Sequence, residues 1–223
     1  MKRDELEALK SKLPSIPSIN GKDEYYNSVV LVLLTLLNDE YHIVFEKRCK
    51  GIRQGGEICL PGGMYEKEQD ASLEMTALRE TREELGIPEE KIEIIGRLDT
   101  VVALMGTTVD AFVGVTGVQP EEMKINPEEV ERVFTLPVSY FQQTKPEKYQ
   151  VMTKIHPSYI DVETQREVVL LPSARLGLPE RYRKPWGGFR HKVLVYQTAE
   201  GVIWGITARI IFDLVSRVQD SKE

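Results

Sequence analysis

The sequence predicts an α/β protein in which a mixed β-sheet lies between helices. Runs of apolar and β-branched residues outnumber helical patterns along the chain, and the clearest interior helix lies between predicted strands. A second amphipathic pattern, at 206–218, predicts a helix near the end of the sequence. At 223 residues the chain is long enough for one full hydrophobic core, so we expect a single domain over residues 1–223.

The first part of the chain predicts a helix, a linker and a hairpin. Residues 1–20 combine a short amphipathic helix with a Pro-marked linker. Two apolar runs, 27–37 and 42–47, flank an Asn-Asp-Glu turn and predict two paired strands. A basic, Gly-rich loop over 47–56 then leads to a short strand and a Pro-Gly-Gly turn at 61–63.

The remaining elements alternate between helix and strand. We expect a helix over 70–85, because Gly86 follows it in the position where a helix end favours a positive φ. Strands are predicted over the ranges 91–104, 108–118, 132–136 and 167–171, and in a hairpin over 191–205 that turns at 200–201. Because residues 142–190 have weak periodicity and several prolines, we expect a loop-rich insertion there.

Composition and charge exclude several classes of function. A formal net charge of −6 argues against general binding to nucleic acid or anionic membranes, which requires an excess of Lys and Arg. Two cysteines make neither a disulfide framework nor a zinc set, so a cytoplasmic location is expected. The most apolar run, 28–37, is about half the roughly 20 residues that cross a bilayer.

Three carboxylates are crowded near the end of the predicted interior helix. At 100° per residue, Glu83 lies about 40° from Arg79, Glu80 about 100° and Glu84 about 140°, so the acids share one arc. On this geometry Leu78 and Leu85, with Ala71, form a separate apolar seam that docks the helix on the sheet.

Two interpretations of this acidic arc are open. Arg79 and Glu83 can form an ordinary ion pair on a solvated helix face. However, Glu80 and Glu84 repel each other at i,i+4, and a divalent cation such as Mg²⁺ would relieve that repulsion. The preceding Gly62 and Gly63 favour the second interpretation, because glycines allow a backbone carbonyl to approach a metal closely.

The stretch from Gly62 to Ile87 resembles the signature of the Nudix hydrolase superfamily. It contains the Arg-Glu-x-x-Glu-Glu-x-Gly core of that signature as RETREELG, residues 79–86. The loop before this core is slightly longer than usual, and Ala71 occupies the position of an earlier Glu of the signature. Glu68 and Asp70 are candidates to replace that acid.

A longer resemblance points to the coenzyme A pyrophosphatase branch of these enzymes. In the stretch 46–63, EKRCKGIRQGGEICLPGG, Arg48, Arg53 and Gly56 match the two arginines and the glycine that precede the Pro-Gly-Gly turn in that branch. The segments 126–140 and 203–211 are also similar to that branch. The resemblance is weakest over 142–190.

This resemblance implies a Nudix-type α/β/α sandwich and a metal-dependent pyrophosphohydrolase. The expected reaction is hydrolysis of coenzyme A or acyl-CoA to 3′,5′-ADP and 4′-phosphopantetheine or its acyl form, with Mg²⁺ or Mn²⁺ as cofactor. The expected partner is a small nucleotide, with no nucleic acid or membrane, and a homodimer is left open. The expected roles are metal binding by Glu80, Glu83, Glu84 and the Gly62 carbonyl, catalysis by Glu83, Glu80 and Arg79, and substrate binding by Arg48, Arg53 and Gly63.

Three alternatives remain open at this point. The enzyme could act on ADP-ribose, a nucleotide sugar or a nucleoside triphosphate instead of coenzyme A. The domain could bind a nucleotide without cleaving it, although the acids of the core are all present. It could also be a structural domain whose charged helix is only a surface.

Overall fold

The computed structural model describes residues 3–15, 18–104 and 106–220. It contains a mixed sheet of eight strands, two smaller sheets and four α-helices among these residues. The helices are α1 (Arg3–Lys12), α2 (Leu73–Leu85), α3 (Val138–Gln143) and α4 (Gly205–Asp220). The strands are β1 (Tyr26–Leu37), β2 (Glu40–Arg48), β3 (Ile58–Cys59), β4 (Gly62–Met64), β5 (Ile92–Arg97), β6 (Val101–Ala103), β7 (Thr107–Thr116), β8 (Val130–Pro137), β9 (Glu147–Ile155), β10 (Ser158–Ile160), β11 (Glu167–Val169), β12 (Trp186–Thr198) and β13 (Gly201–Trp204).

Strand β1 lies at the centre of the mixed sheet. It pairs in parallel with β7 and antiparallel with β2 and β4. The strand order is β3-β2-β1-β7-β5, with β4 on β1, β6 on β7 and β8 on β2. The chain between the parallel strands β1 and β7 contains α2, and this helix packs against the sheet. The predicted α/β fold with a mixed sheet is confirmed.

The sheet buries side chains on both faces. Alternate residues of β1, such as Leu31 and Leu33, pack in the cluster that contains Ala77 and Leu85 of α2. The residues between them, such as Val32, pack on the opposite face with residues of α4. This period-2 alternation in an almost wholly apolar strand is what a sheet covered on both faces requires.

Helix α2 begins later than the sequence predicts. Ser72 is its N-cap and accepts a hydrogen bond from the backbone N–H of Met75 at 3.2 Å. Residues 70–72 precede the helix, since Asp70 is buried and bonds to other side chains instead. The helix ends as predicted, with Gly86 at a φ of 67°.

The buried face of α2 also differs from the predicted seam. Its buried helical residues include Ala77, Thr81, Glu84 and Leu85, whereas Ala71 lies outside the helix and is exposed. Thr81 is accommodated because its hydroxyl donates to the Ala77 carbonyl at 2.7 Å. The acidic arc therefore runs into the buried face, and Glu84 lies inside it.

Most of the other predicted helices and strands are present, with some differences in their bounds. The first helix and the hairpin of β1 and β2 are confirmed, whereas positions 16–17 of the predicted linker lie outside the described residues. The predicted strand 91–104 is interrupted at 98–100 and forms β5 and β6. The short strand β11, the hairpin of β12 and β13, and the final helix lie where the sequence predicts them.

The segment 142–190 contains more strand than the sequence predicts, although 161–166 and 170–185 contain no strand and remain loops. It contains β9, β10, β11 and the first residues of β12. Strand β9 pairs antiparallel along its length with residues 186–195 of β12, from Glu147↔Val195 to Trp186↔Ile155, with one register shift between Gly187 and Phe189. Most of β9 is exposed, so its sequence lacks the apolar alternation of a buried strand, and its partner lies some distance along the chain.

None of the described helices combines the length and apolar character needed to span a bilayer.

Candidate active site

Gly62 and Gly63 of the Pro-Gly-Gly stretch carry no side chains, and they form one wall of the site at the start of β4. Gly62 has a φ of 152°, and a Cβ at this position would lie 2.2 Å from the Val29 carbonyl oxygen. A Cβ on Gly63 would lie 2.3 Å from the carboxyl carbon of Glu80. Gly62 is therefore sterically required, and the absence of a side chain at Gly63 lets the Glu80 carboxylate approach the backbone of β4.

Glu84 lies deepest of the three acids on α2. Its side chain is 2% exposed, and its Oε2 accepts a hydrogen bond from the Gly62 N–H at 2.8 Å. Burial, together with the negative charge of Glu46, raises the pKa of Glu84 to about 9, although the hydrogen bond from Gly62 opposes this shift. The turn and the helix are therefore joined through a carboxylate.

Glu46 on β2 is a second buried acid that the sequence reasoning missed. It is 1% exposed, and its Oε1 accepts a hydrogen bond from the Cys59 thiol at 3.1 Å. Its Oε2 has no hydrogen-bond partner among the described residues. Burial raises the pKa of Glu46 to about 7, although the Cys59 hydrogen bond and the Arg48 charge oppose this shift.

A sequence signal for Glu46 did exist. Strand alternation places residue 46 on the same face as Val44, a position that the apolar run marks as buried. A glutamate two residues after a buried valine, within a strand, is an acid facing the core. Glu129, another acid outside α2 that the sequence reasoning missed, also lies near these carboxylates. Its negative charge raises the pKa of both Glu46 and Glu80.

Arg79 contacts three further acids, Asp70, Glu80 and Glu83. Its Nε and Nη2 lie 2.9 and 3.0 Å from the two carboxylate oxygens of Asp70, and its Nη1 lies 2.9 Å from Glu80 and 3.1 Å from Glu83. The hydrogen bonds from Arg79 hold the pKa of Asp70 below its ordinary value. Of the two candidates for the earlier acid, Asp70 is buried and bound to Arg79, whereas Glu68 is exposed.

Glu46, Glu80, Glu83 and Glu84 are together called the acid group. Glu83 lies at its solvent-exposed rim. Its side chain is about half exposed, and it contacts both Arg79 and Arg82. Arg82 also binds Glu89 at 2.7 Å. The three acids of the predicted arc thus run from the solvent-exposed Glu83, through Glu80, to the buried Glu84.

The two predicted substrate arginines lie in different surroundings. Arg48 points inward, and its Nη1 is 3.8 Å from Glu46 Oε1 and 3.9 Å from Glu84 Oε1. Its Nε also donates to the Arg53 carbonyl oxygen at 3.3 Å. Arg53 is exposed in the loop after β2. Arg48 is therefore a counter-ion of the acids in this structure, while Arg53 faces solvent.

The donor set fits a divalent cation in its chemistry. Carboxylate oxygens are the preferred ligands of Mg²⁺ and Mn²⁺, and the acids outnumber the arginines that contact them. The unpaired Oε2 of Glu46 and the tight approach of Glu80 to Gly63 are further observations that favour added positive charge. Among the described residues, however, no three such side chains are already arranged around a single point. Binding would require side chains such as Glu80 to leave their arginine.

Comparison with known proteins agrees with this geometry. The NUDIX domain family matches residues 27–155, which is more than half of the chain. A protein of Photorhabdus laumondii described as an uncharacterized Nudix hydrolase NudL is 26% identical over 211 residues, covering 93% of this chain and 92% of its own.

Two other relatives are more distant or shorter matches. The human mitochondrial coenzyme A diphosphatase NUDT8 is 37% identical over 98 residues, covering 44% of this chain and 41% of its own. A crystal structure of a MutT/nudix family protein from Enterococcus faecalis aligns with a TM-score of 0.49 and 15% identity, covering 99% of this chain and 70% of that one.

The family match spans the strands, the Pro-Gly-Gly turn and the acidic helix that together build the site. The chain therefore belongs to the Nudix hydrolases, and it is a pyrophosphohydrolase acting on phosphorus-containing anhydrides.

Proposed function

We propose that this enzyme hydrolyses the pyrophosphate bond of coenzyme A or an acyl-CoA, giving 3′,5′-ADP and 4′-phosphopantetheine or its acyl form. The observation that carries the catalytic part is the group of inward-facing acids, Glu46, Glu80 and Glu84, beside the Pro-Gly-Gly turn. The substrate part is supported by the Arg48–Gly63 stretch and by the partial similarity to the human coenzyme A diphosphatase.

The metal ligands in this proposal are Glu80, Glu83, Glu84 and the carbonyl of Gly62. A bound Mg²⁺ or Mn²⁺ neutralises phosphate charge and lowers the pKa of a water molecule. Arg79 orients Glu83, because it contacts that carboxylate and is itself held by Asp70. Glu84 is held by the Gly62 N–H, which keeps the turn and the helix in register.

The chemistry is a displacement at phosphorus. A water oxygen attacks one phosphorus of the pyrophosphate, the bond from that phosphorus to the bridging oxygen breaks, and the bridging oxygen leaves with the other phosphate. A carboxylate accepts the proton of the water, and the acids of α2 and a loop glutamate are both candidates for this role. The products leave as two phosphate monoesters.

The proposed partner is thus a small anionic nucleotide, with neither nucleic acid nor membrane involved. A cytoplasmic location is part of the same proposal and follows from the cysteine usage. A homodimer is compatible with it.

Product analysis by mass spectrometry tests the proposed substrate. The protein is incubated with coenzyme A, dephospho-CoA, ADP-ribose or NADH, each with Mg²⁺ or Mn²⁺. We expect release of 3′,5′-ADP from coenzyme A well ahead of turnover of the other three compounds. Faster cleavage of ADP-ribose or NADH would replace coenzyme A as the substrate, and binding without any cleavage would indicate a nucleotide-binding module.

Arg53 allows a sharper test of the substrate. Its exposed guanidinium is proposed to bind a phosphate of the substrate, and the 3′-phosphate distinguishes coenzyme A from dephospho-CoA. We expect Arg53→Ala to raise KM for coenzyme A more than for dephospho-CoA. Lys50→Ala, which removes an exposed cation from the same loop, serves as the control. Equal increases for both substrates would exclude a role on the 3′-phosphate.

A further inference from the structure

Glu46 lies outside the acidic helix, yet it faces the same group of acids. It is carried by β2, and Val44 on the same face of that strand packs in the cluster that contains α2. Its charge raises the pKa of Glu84, and the charge of Glu80 raises the pKa of Glu46 in turn. The sheet therefore contributes one carboxylate to a group that the sequence signature assigns to the helix alone.

The contacts of Glu46 leave part of its carboxylate unused. Oε1 accepts from the Cys59 thiol, which is a weak donor, and Arg48 Nη1 stands 3.8 Å away, beyond hydrogen-bond distance. Oε2 is buried without a hydrogen-bond partner among the residues described. The same Arg48 atom is also 3.9 Å from Glu84, so one guanidinium serves two buried acids.

A purely structural explanation does not account for this arrangement. A buried carboxylate normally has its oxygens paired, because desolvation without compensation is costly. A side chain needed only for packing at this position would be apolar or would find donors for both oxygens. The unpaired, buried oxygen of Glu46, on a carboxylate that shares Arg48 with Glu84, instead provides a binding capacity for a cation.

We propose that Glu46 is a further metal ligand of this site, supplied by β2, and that Cys59 is a positioning residue that orients its carboxylate. The inference rests on the proposed metal site and extends it from the helix to the sheet. A cation bound between Glu46 and Glu84 would be held by the two elements that carry the site, α2 and β2. Strand β3, which carries Cys59, would set the angle of the Glu46 carboxylate through the thiol hydrogen bond.

Direct measurement of Mn²⁺ binding tests this proposal without any substrate. Electron paramagnetic resonance of free Mn²⁺ gives the number of bound ions and their dissociation constants. We expect Glu46→Gln to weaken Mn²⁺ binding by roughly tenfold or more, or to remove one bound ion. Glu131→Gln is the matched control, since it removes a partly exposed acid of β8 that pairs with Lys47, and it should leave Mn²⁺ binding unchanged.

Metal-free stability separates a ligand from a structural residue. Because Glu46→Gln removes a buried charge, we expect the urea midpoint of the metal-free variant to be equal to or higher than that of the wild type. The increase in melting temperature caused by Mn²⁺ should become smaller. Glu46→Asp provides a second variant that keeps the charge but shortens the side chain, and it should also weaken Mn²⁺ binding.

The role of Cys59 has its own readout. Cys59→Ala removes the hydrogen-bond donor and should weaken Mn²⁺ binding less than Glu46→Gln does. Cys59→Ser restores a donor and should recover part of the lost affinity. Equal affinities for Cys59→Ala and the wild type would overturn the positioning role.

The outcomes distinguish this inference from the proposed function. Wild-type Mn²⁺ binding in Glu46→Gln and Glu46→Asp, together with a loss of binding in Glu84→Gln, would overturn only the role of Glu46. A lower metal-free stability with unchanged Mn²⁺ binding would assign Glu46 a structural role. Wild-type binding in Glu84→Gln as well would contradict the proposed metal site itself.

Discussion

Two buried acids on the same face of the sheet, Asp110 on β7 and Glu46 on β2, have opposite electrostatic surroundings. Asp110 has a fully buried side chain and binds Lys22 at 2.8 Å, and it also accepts hydrogen bonds from Arg97 and Thr100. Burial alone would raise the pKa of Asp110, but the Lys22 and Thr100 hydrogen bonds and the Arg97 charge hold it below its ordinary value. This carboxylate is therefore charged and fully paired.

Glu46 is just as deeply buried but has fewer partners. It has one thiol hydrogen bond and a distant arginine. Burial raises the pKa of Glu46, and the negative charges of Glu129 and Glu80 add to this shift. This protein neutralises the buried carboxylate of Asp110 with its own cations. It neutralises the carboxylate of Glu46 only in part. A shortage of positive charge in one place is the mark of a site that binds a cation.

The largest expected effect is the loss of turnover in Glu83→Gln. The variant removes a proposed metal ligand at the rim of the acid group, so turnover should fall by roughly a hundredfold or more. Because Glu83 is half exposed, the urea midpoint should stay close to that of the wild type. Steady-state kinetics with the preferred substrate measures the effect.

Glu89→Gln is the control for Glu83→Gln. It removes the other acid that Arg82 binds, outside the acid group, and should leave turnover unchanged. Turnover of Glu83→Gln near that of the wild type would remove Glu83 from the site.

A large effect on stability is expected at Asp110. Asp110→Asn leaves Lys22 and Arg97 without their buried anion, and it should lower the free energy of unfolding by about 1–3 kcal/mol. The value stays in this range because both cations are partly exposed and can be solvated again. Urea denaturation measures the change. An unchanged midpoint would show that the Asp110 ion pairs contribute nothing, and the contrast with Glu46 would then be lost.

The stability difference between the wild type and Asp110→Asn should depend on pH. Since the pKa of Asp110 is lower in the folded state, the wild type gains stability above the ordinary Asp pKa of about 4. This gain is lost as the pH falls through the folded-state pKa. Urea midpoints of both proteins should therefore converge in acid and differ by a constant amount near neutral pH. A difference that persists unchanged to the lowest pH would contradict the ion-pair explanation.

The smallest effect is expected for Lys22→Met. Arg97 and Thr100 still bind Asp110 in this variant, so the free energy of unfolding should fall by only about 0.5–1.5 kcal/mol. Measured beside Asp110→Asn, this variant shows how many cations a buried acid needs in this protein. A loss as large as that of Asp110→Asn would mean that Lys22 alone neutralises the carboxylate.

Local patterns in the sequence were enough for much of the fold. The apolar run of β1, the Asn-Asp-Glu turn and Gly86 predict their elements because each depends on nearby residues. Strand β9 and the first residues of β12 were not predicted, because they pair with each other across a long separation in the chain. The start of α2 was misplaced because Asp70, a good first-turn residue, bonds to Arg79 instead of continuing the helix.

The site also has some features that local sequence predicts and others that depend on how distant segments pack. Helical spacing alone places Glu80, Glu83 and Glu84 on one arc, and the resemblance of 62–87 to a known signature implies their chemistry. Spacing could not rank these acids by depth, because depth depends on how α2 rotates against the sheet. Ala77 and Thr81 are small enough to pack there, so the helix turns Glu84 inward and leaves Glu83 at the rim.

What the sequence determined by itself is the family, the Pro-Gly-Gly turn and the acidic helix, since these depend on contiguous residues. Only the tertiary structure decided that Asp70 rather than Glu68 binds Arg79, which way Arg48 points and that Glu46 is buried. Those outcomes depend on burial and charge between segments that are distant in the chain. Asp70 binds Arg79 nine residues further along the chain, and Glu46 lies near Glu84 only because its side chain points from β2 toward the face of the sheet on which α2 packs.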